Sequence, residues 1–510
     1  MPSIPLPENP SLEHLKSQAK LVRDLARSGD DGARQLVAEF HPALGSSAQA
    51  GDPLSRFRLT DAQLVVARLY GFASWIKLRD QLRLIGAFAW ADPDDVPQGL
   101  DAANRFIVYA CGSYSAANPR DRIEEARRLL AAEPGLGSAS MAGLATVGDR
   151  RALADRLDEE PDRLDAPCGP NGWPLLLYCT YSRIETGQPD RSTLETARLL
   201  LDRGADPNAG FLWRGLVPPF TALTGALGRG EQDQPPHPHG LALARLLLEA
   251  GADPNDGQAL YNNGLAGSAN DDPAHLQLLV EFGLGIDQGG PWYRRFGTRL
   301  TPPGELLHDE LEVAAIRNLP RRMRFLVGLG LDLDRPVGRS QQLPVRLAAG
   351  AGNDAVLAVL AEAGMDVTMT PAERFVLLAR TATPAELRQH TERHPGLLAE
   401  TIDRSPGLIK DIAAGERLPI VAELQRLGFD INARSSGAGI TALHSAALAN
   451  DVELARALVG MGADPDVVDP NYDASPLGWA EHNNSREAAD YLRPLTGQGD
   501  PSDEPSNPRI

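Results

Sequence analysis

The chain has 510 residues, enough for several domain-sized cores or one long stacked array. Its 68 acidic residues outnumber 50 basic ones, a formal charge of -18 that repels nucleic acid and anionic membrane surfaces unless a local patch overrides it. Hydrophobic content is an ordinary 42% but aromatics are only 5%, so Leu and Ala must carry the core and a predominantly helical fold is expected.

The first stretch, MPSIPLPENPSLEHLKSQAK, has no basic start followed by an apolar run, so it does not read as a secretory signal. No segment approaches the roughly 20 apolar residues of a membrane span, and the expected location is the cytoplasm. SLEHLKSQAKLVRDLA puts Leu12, Leu15, Ala19, Val22 and Ala26 on one helical face, with Ser11 as cap. LTDAQLVVARLYGFASWIKLRDQLRLI predicts two further helices broken around Gly71. Residues 1–90 thus form a helical module, and 91–119 an acidic linker and the start of an array. The helix–break–helix outline superficially resembles a helix-turn-helix, which would need Arg68, Lys77, Arg79 and Arg83 to face phosphates. Trp75, Leu78 and Leu82 look instead like packing positions, so a helical cap or docking module is expected and nucleic-acid binding is not.

From there a period emerges. ARLLLDRGADPN ends at Asn208, ARLLLEAGADPN at Asn255, LQLLVEFGLGID at Asp287, MRFLVGLGLDLD at Asp334, LAVLAEAGMDVT at Thr368, VAELQRLGFDIN at Asn432 and ARALVGMGADPD at Asp466. The aligned glycines are Gly204, Gly251, Gly283, Gly330, Gly364, Gly428 and Gly462. A unit of about 33 residues explains their spacing if two units carry insertions and the Gly364–Gly428 interval hides a degenerate repeat. RRALADRLDEEPDRLD, with Pro161 in place of the glycine, reads as an earlier unit. In the last full unit Thr441 caps a short helix that buries Leu443, Ala446 and Ala447. A second helix follows with Leu454, Ala455, Leu458 and Val459 at helical spacing, and Gly462 lies just past its end, where φ is commonly positive. One such pair cannot bury its own face, so the units must stack and the insertions belong in loops.

This pattern resembles the ankyrin repeat. The family's Thr-Pro-Leu-His-x-Ala turn corresponds to Thr441 to Ala446, with Ala442 in place of the usual proline, and its Gly-Ala-Asp-x-Asn ending appears in full at Gly204 to Asn208 and Gly251 to Asn255. The resemblance covers residues 120–493, with the degenerate stretch from 365 to 415 assigned mainly by period and a flexible tail at 494–510. It implies an all-α solenoid of stacked helix pairs with hairpin loops, usually a protein-binding surface, and a structural role for His444 beside the turn. Residues 1–90 resemble a helical segment that precedes ankyrin arrays in some bacterial proteins.

No motif for catalysis, cofactor binding or metal binding stands out. Cys111, Cys168 and Cys179 lack zinc-site spacing and read as buried small hydrophobes; His237 and His239 in PPHPHG read as loop. Arg321, Arg322 and Arg324 are expected on a solvated helix face. The informative departures are two loops in an aromatic-poor chain. AGFLWRGLVPP carries Phe211, Trp213 and Arg214, and DQGGPWYRRFGTRL carries Trp292, Tyr293, Arg294, Arg295 and Phe296. Aromatic and Arg residues dominate interface hot spots, so these eight are candidates for binding a protein partner; the competing reading makes the tryptophans lids over neighbouring units. The leading expectation is a non-enzymatic, monomeric protein-binding scaffold without cofactor. A structural scaffold with no partner, a concealed enzyme, and a DNA-binding regulator acting through residues 60–85 are the alternatives.

Overall fold

The computed structural model describes residues 6, 11–42, 44, 54, 57–90, 99–112, 119–228, 235–265, 271–286, 289–435, 439–470, 473–483 and 485–497. Residues 91–98, most of the expected acidic linker, and 498–510, most of the expected tail, lie outside them.

The repeating unit is clearest near the C-terminal end. Helices Ala442–Leu448 and Val452–Gly460 pack side by side, with Leu443, Ala446, Ala447, Leu454, Ala455 and Leu458 buried. Thr441 starts the first helix by accepting the His444 backbone N–H, and Asp451 caps the second through Leu454 N–H. Elsewhere proline fills the first helical position, as in Pro344–Ala351 and Pro476–His482, where its missing N–H costs nothing. The seven repeat glycines, Gly204, Gly251, Gly283, Gly330, Gly364, Gly428 and Gly462, all have φ between 74° and 102°. At Gly462 nothing lies within 4 Å of an added Cβ, so the backbone conformation alone selects glycine there.

The residues after each glycine join one unit to the next. Asp206, Asp253 and Asp430 each accept the backbone N–H two residues on, at 2.9, 3.0 and 2.9 Å, which folds the hairpin. The following Asn then reaches the neighbouring unit. Asn208 Oδ1 accepts Asp253 N–H at 2.9 Å, Asn255 Oδ1 accepts Gly285 N–H at 2.9 Å, and Asn432 Oδ1 accepts Asp464 N–H at 2.8 Å. A polar ladder therefore runs beside the apolar stack, satisfying backbone donors that a turn would leave unpaired.

Stacked helix pairs run from Ala102–Ala110 to Arg486–Leu492. One apolar cluster extends from Trp90 to Leu360 and a second from Phe375 to Leu492. The degenerate stretch is helical too: Pro371–Thr381 and Pro384–Arg393 start with capping boxes, Thr370 with Glu373 and Thr383 with Glu386. It also holds an additional helix, Leu397–Arg404, ahead of Leu408–Ile412.

At the other end, α1 (Leu12–Ser28), α2 (Asp31–Phe40), α3 (Leu59–Leu69) and α4 (Trp75–Phe88) enclose their own core of Leu15, Ala19, Val65, Val66 and Leu78. That core also contains Leu212, Trp292 and Phe296 from the array. Directly after α4, strand β1 (Ala89–Trp90) pairs in parallel with β2 (Gly210–Trp213), with Ala89 opposite Leu212 and Trp90 opposite Trp213; β2 pairs antiparallel with β3 (Phe220–Thr221). This small sheet departs from the all-α expectation.

Candidate functional site

The two aromatic loops turn inward. Phe211 is 3% exposed and stacks on Trp173 at 4.8 Å and Phe220 at 5.6 Å, with Trp90 also 4.8 Å away. Trp213 is half-buried beneath the Arg214 guanidinium, 4.9 Å from its ring centroid. In the second loop a short helix, Pro291–Phe296, presents Trp292 to the N-terminal module. The Trp292 ring meets Phe88 edge-on at 4.9 Å, stacks with Phe296 at 6.0 Å, and donates its indole N–H to Asn208 O at 2.9 Å. Arg295 lies over Phe88 and Trp292, 5.1 and 4.8 Å from their centroids. The expectation that Phe211, Trp292 and Phe296 project toward a partner is therefore corrected: all three are buried, because β1 and α4 supply the apolar surface that loops of this composition need.

Folding these loops inward leaves a cavity of about 600 Å³ between them and the first helices of the next two units, Gly257–Leu265 and Pro303–Ile316. Tyr261 (51% exposed) and Ile316 (47% exposed) give it apolar surface, and Trp292 and Tyr293 line it from the second loop. Of the loop candidates, Trp292 and Tyr293 thus reach this cavity. Arg294 lines a neighbouring hollow of about 520 Å³ that shares the wall of Asn208, Ala252, Asp253 and Asn255.

The cavity's carboxylates are mostly occupied. Asp253 accepts the N–H groups of Asn255 and Gly290 at 3.0 and 2.8 Å. Asp256 accepts the Thr221 hydroxyl at 2.5 Å, the Thr224 hydroxyl at 2.9 Å and the N–H groups of Gln258 and Ala259; burial pushes its pKa up against those hydrogen bonds. Glu312 accepts Arg339 and Ser340 N–H at 2.8 and 3.0 Å. Burial and the adjacent Glu312 and Glu305 raise the pKa of Asp309, opposed by a hydrogen bond with Thr301 and by Arg339. The arginines differ. Arg299, Arg317 and Arg339 are all exposed; Arg299 rests its guanidinium over Phe72 at 5.2 Å, and partial burial there lowers its pKa. None of the three side chains makes a hydrogen bond or ion pair among the described residues. Tyr261, Arg299, Arg317 and Arg339 carry no local sequence signal, since three different units and an insertion contribute them.

The lining contains neither His nor Cys, and among the described residues no three His, Cys, Asp or Glu are grouped to hold a metal ion. His444 is fully buried; its ring bonds the Thr441 hydroxyl at 2.8 Å and Ala474 O at 3.1 Å, and burial lowers its pKa. His237 is buried rather than displayed on a loop, with Nε2 donating to Cys179 O at 3.0 Å and Nδ1 accepting His239 N–H; burial beside Arg183 lowers its pKa to about 3. Cys111 and Cys179 are buried and Cys168 partly so, and burial raises the Cys168 thiol to about 11, which suppresses thiolate chemistry. Arg322 corrects the solvated-face expectation: it is wholly buried, 3.9 Å from Glu310. In the N-terminal module Arg68 donates to Phe40 O, while Arg79 and Arg83 approach Asp80, so these cations do not form one unpaired face. No described helix is long and apolar enough to cross a membrane.

Residues 411–501 match the family model for ankyrin repeats (3 copies). Among solved structures, the chain is similar to the ankyrin repeat domain of Bcl-3, described as a unique member of the IkappaB protein family, at 24% identity, covering 45% of this chain and 97% of that one with a TM-score of 0.19. No curated protein matches. The Thr441–His444 turn and the helix pairs around it lie within the family-model match, which places ankyrin repeats over residues 411–501 of the chain.

Proposed function

We propose that this chain is a non-enzymatic protein-binding scaffold, and that its recognition surface is the cavity between the two inserted loops and the helices Gly257–Leu265 and Pro303–Ile316. Ankyrin repeats generally mediate protein–protein interaction. The observation that carries the assignment to this place is the combination of exposed Tyr261 and Ile316 with Arg317 and Arg339, whose side chains make no hydrogen bond or ion pair among the described residues. Exposed aromatics and unpaired guanidiniums are the groups that gain most from being covered by a partner. Tyr293 and Arg294 extend this surface on the loop side. Trp213, Arg214 and Arg295 serve the internal packing. The scaffold acts in the cytoplasm as a monomer, consistent with three free cysteines and a terminal helix that turns Arg486, Glu487 and Asp490 to solvent.

The test is site-specific photo-crosslinking. A photoreactive residue at position 261 should capture a protein from native lysate, and the purified candidate should then bind the intact chain. The same group at exposed Arg198, on helix Thr193–Asp202 away from the cavity, should not capture it. Equal capture at both positions, or none at 261, removes the cavity as the recognition surface.

A further inference from the structure

The cavity's acidic and basic groups are unequally satisfied. Asp253, Asp256 and Glu312 spend their oxygens on backbone N–H groups and threonine hydroxyls of their own and neighbouring units, so their charge is already solvated by the protein. Among the described residues the side chains of Arg299, Arg317 and Arg339 make no hydrogen bond or ion pair, Arg339 acting on Asp309 only at longer range, although arginines elsewhere in this acidic chain commonly sit against carboxylates, as Arg245 does on Glu281 and Arg203 on Asp158. A cluster of unsatisfied forks in a concave site lined with apolar groups is arranged to take carboxylates. An elongated ligand fits better than a small one. The two hollows lie on either side of a shared wall, with exposed Ile286 beyond it and Ile316 and Tyr261 on the near side.

We infer that the cavity receives an extended acidic segment of a partner protein, its carboxylates held by Arg299, Arg317 and Arg339, with interspersed apolar side chains resting on Tyr261 and Ile316. This rests on the scaffold reading above and specifies its ligand. Arg299 lies over Phe72, which positions its guanidinium, and all three arginines are exposed and supply the long-range attraction that salt screens.

The experiment uses the full chain and a short labelled peptide in which glutamates alternate with leucines and glycines. Its comparators are the same peptide with every Glu replaced by Gln, a single-stranded oligonucleotide of equal charge, and inorganic phosphate. Arg317→Glu combined with Arg339→Glu should weaken binding of the acidic peptide by about 30-fold or more. Arg127→Glu combined with Arg374→Glu, the same change in net charge at exposed arginines outside the cavity, should change it by less than about threefold. Added salt should weaken wild-type binding toward that of the Gln peptide. Both charge-reversed variants alter solvent-facing side chains, and unchanged circular dichroism and melting confirm their folding. The inference is overturned if the Gln peptide binds equally well, if both reversals act alike, if the acidic peptide does not bind, or if phosphate or the oligonucleotide competes as effectively as the peptide. In any of those cases specific capture at position 261 leaves the scaffold reading standing; loss of capture as well removes both.

Discussion

Glu310 offers a direct contest between two physical descriptions of a buried charge. It lies on helix Pro303–Ile316 and is 3% exposed; Arg322, itself fully buried, is 3.9 Å away and donates another N–H to Asn263 O. Loss of solvation raises the Glu310 pKa from 4.5 to about 7, with Arg322 pulling it down and Asp309 adding to the rise. Because the folded value exceeds the unfolded one, the folded protein holds the extra proton between pH 4.5 and 7, and stability falls as pH rises through that window. That rise corresponds to ~3 kcal/mol. Glu310→Gln keeps the shape and stays neutral. It should match wild type near pH 4.5 and exceed it in stability by ~3 kcal/mol above pH 8. A long array need not unfold in one step, so the assay is hydrogen exchange of the amides in Pro303–Ile316, backed by urea titration. If Glu310→Gln is instead less stable at high pH by ~3–5 kcal/mol, the cost of breaking a buried pair, then the carboxylate is ionised and Arg322 repays its desolvation. That result would refute the reasoning.

Other substitutions probe the remaining contacts. Trp292→Ala removes the ring shared by Phe88 and Phe296 and should cost ~3–5 kcal/mol locally, seen as faster exchange and proteolysis in α4 and β1 while Arg486–Leu492 stays protected. His237 has a folded pKa of about 3 against 6.5 unfolded, so its contribution is intact above pH 6.5 and is lost as pH falls toward 3. At pH 5 the loss is ~2 kcal/mol, and His237→Gln should flatten the pH dependence of exchange in Gly240–Glu249. Gly462→Ala meets no atom within 4 Å and should still cost ~1–2 kcal/mol through its positive φ, measured as a shift in the urea transition of the C-terminal units; no change would mean that the turn relaxes.

Backbone requirements proved more legible than side-chain destinations. Gly204 and Gly462 announce their conformation because few other residues tolerate φ near 95°, and Thr441 announces a helix start because its hydroxyl must meet an orphan N–H. Such demands are local, so one sequence displays them. The asparagines after each glycine were visible as a motif, but their bonds to the next unit, as from Asn208 to Asp253, appear only once the units are stacked. Arg322 was unreadable for a related reason: an arginine on an amphipathic helix serves solvent or core according to what the neighbouring helix offers, and here the neighbour offers Glu310. The aromatic loops were ambiguous in principle. Tryptophan gives a large apolar area and one donor to an interface or to a core alike, and the choice fell to Phe88 and Trp90, which lie far away in sequence and complete the environment.

The two insertions that interrupt the period have a consequence that a regular array would lack. An unbroken stack offers each unit only its neighbours, so a docked module and a deep cleft both need additional chain. The first insertion supplies β2 and β3 as a seat for β1, and the second supplies Trp292 for α4 and Arg299 for Phe72. The same residues face the cavity: Trp292 and Arg299 line it, and Trp292 is tied to the cavity residue Asn208 through its indole N–H. Module docking and cavity shape therefore draw on the same two side chains. Whatever free energy a bound segment gains from finding Trp292 and Arg299 in place, the docked module must gain from that segment in return, because the coupling between two sites is reciprocal. The departures from the repeat are thus where the N-terminal module and the proposed recognition surface become one energetic unit.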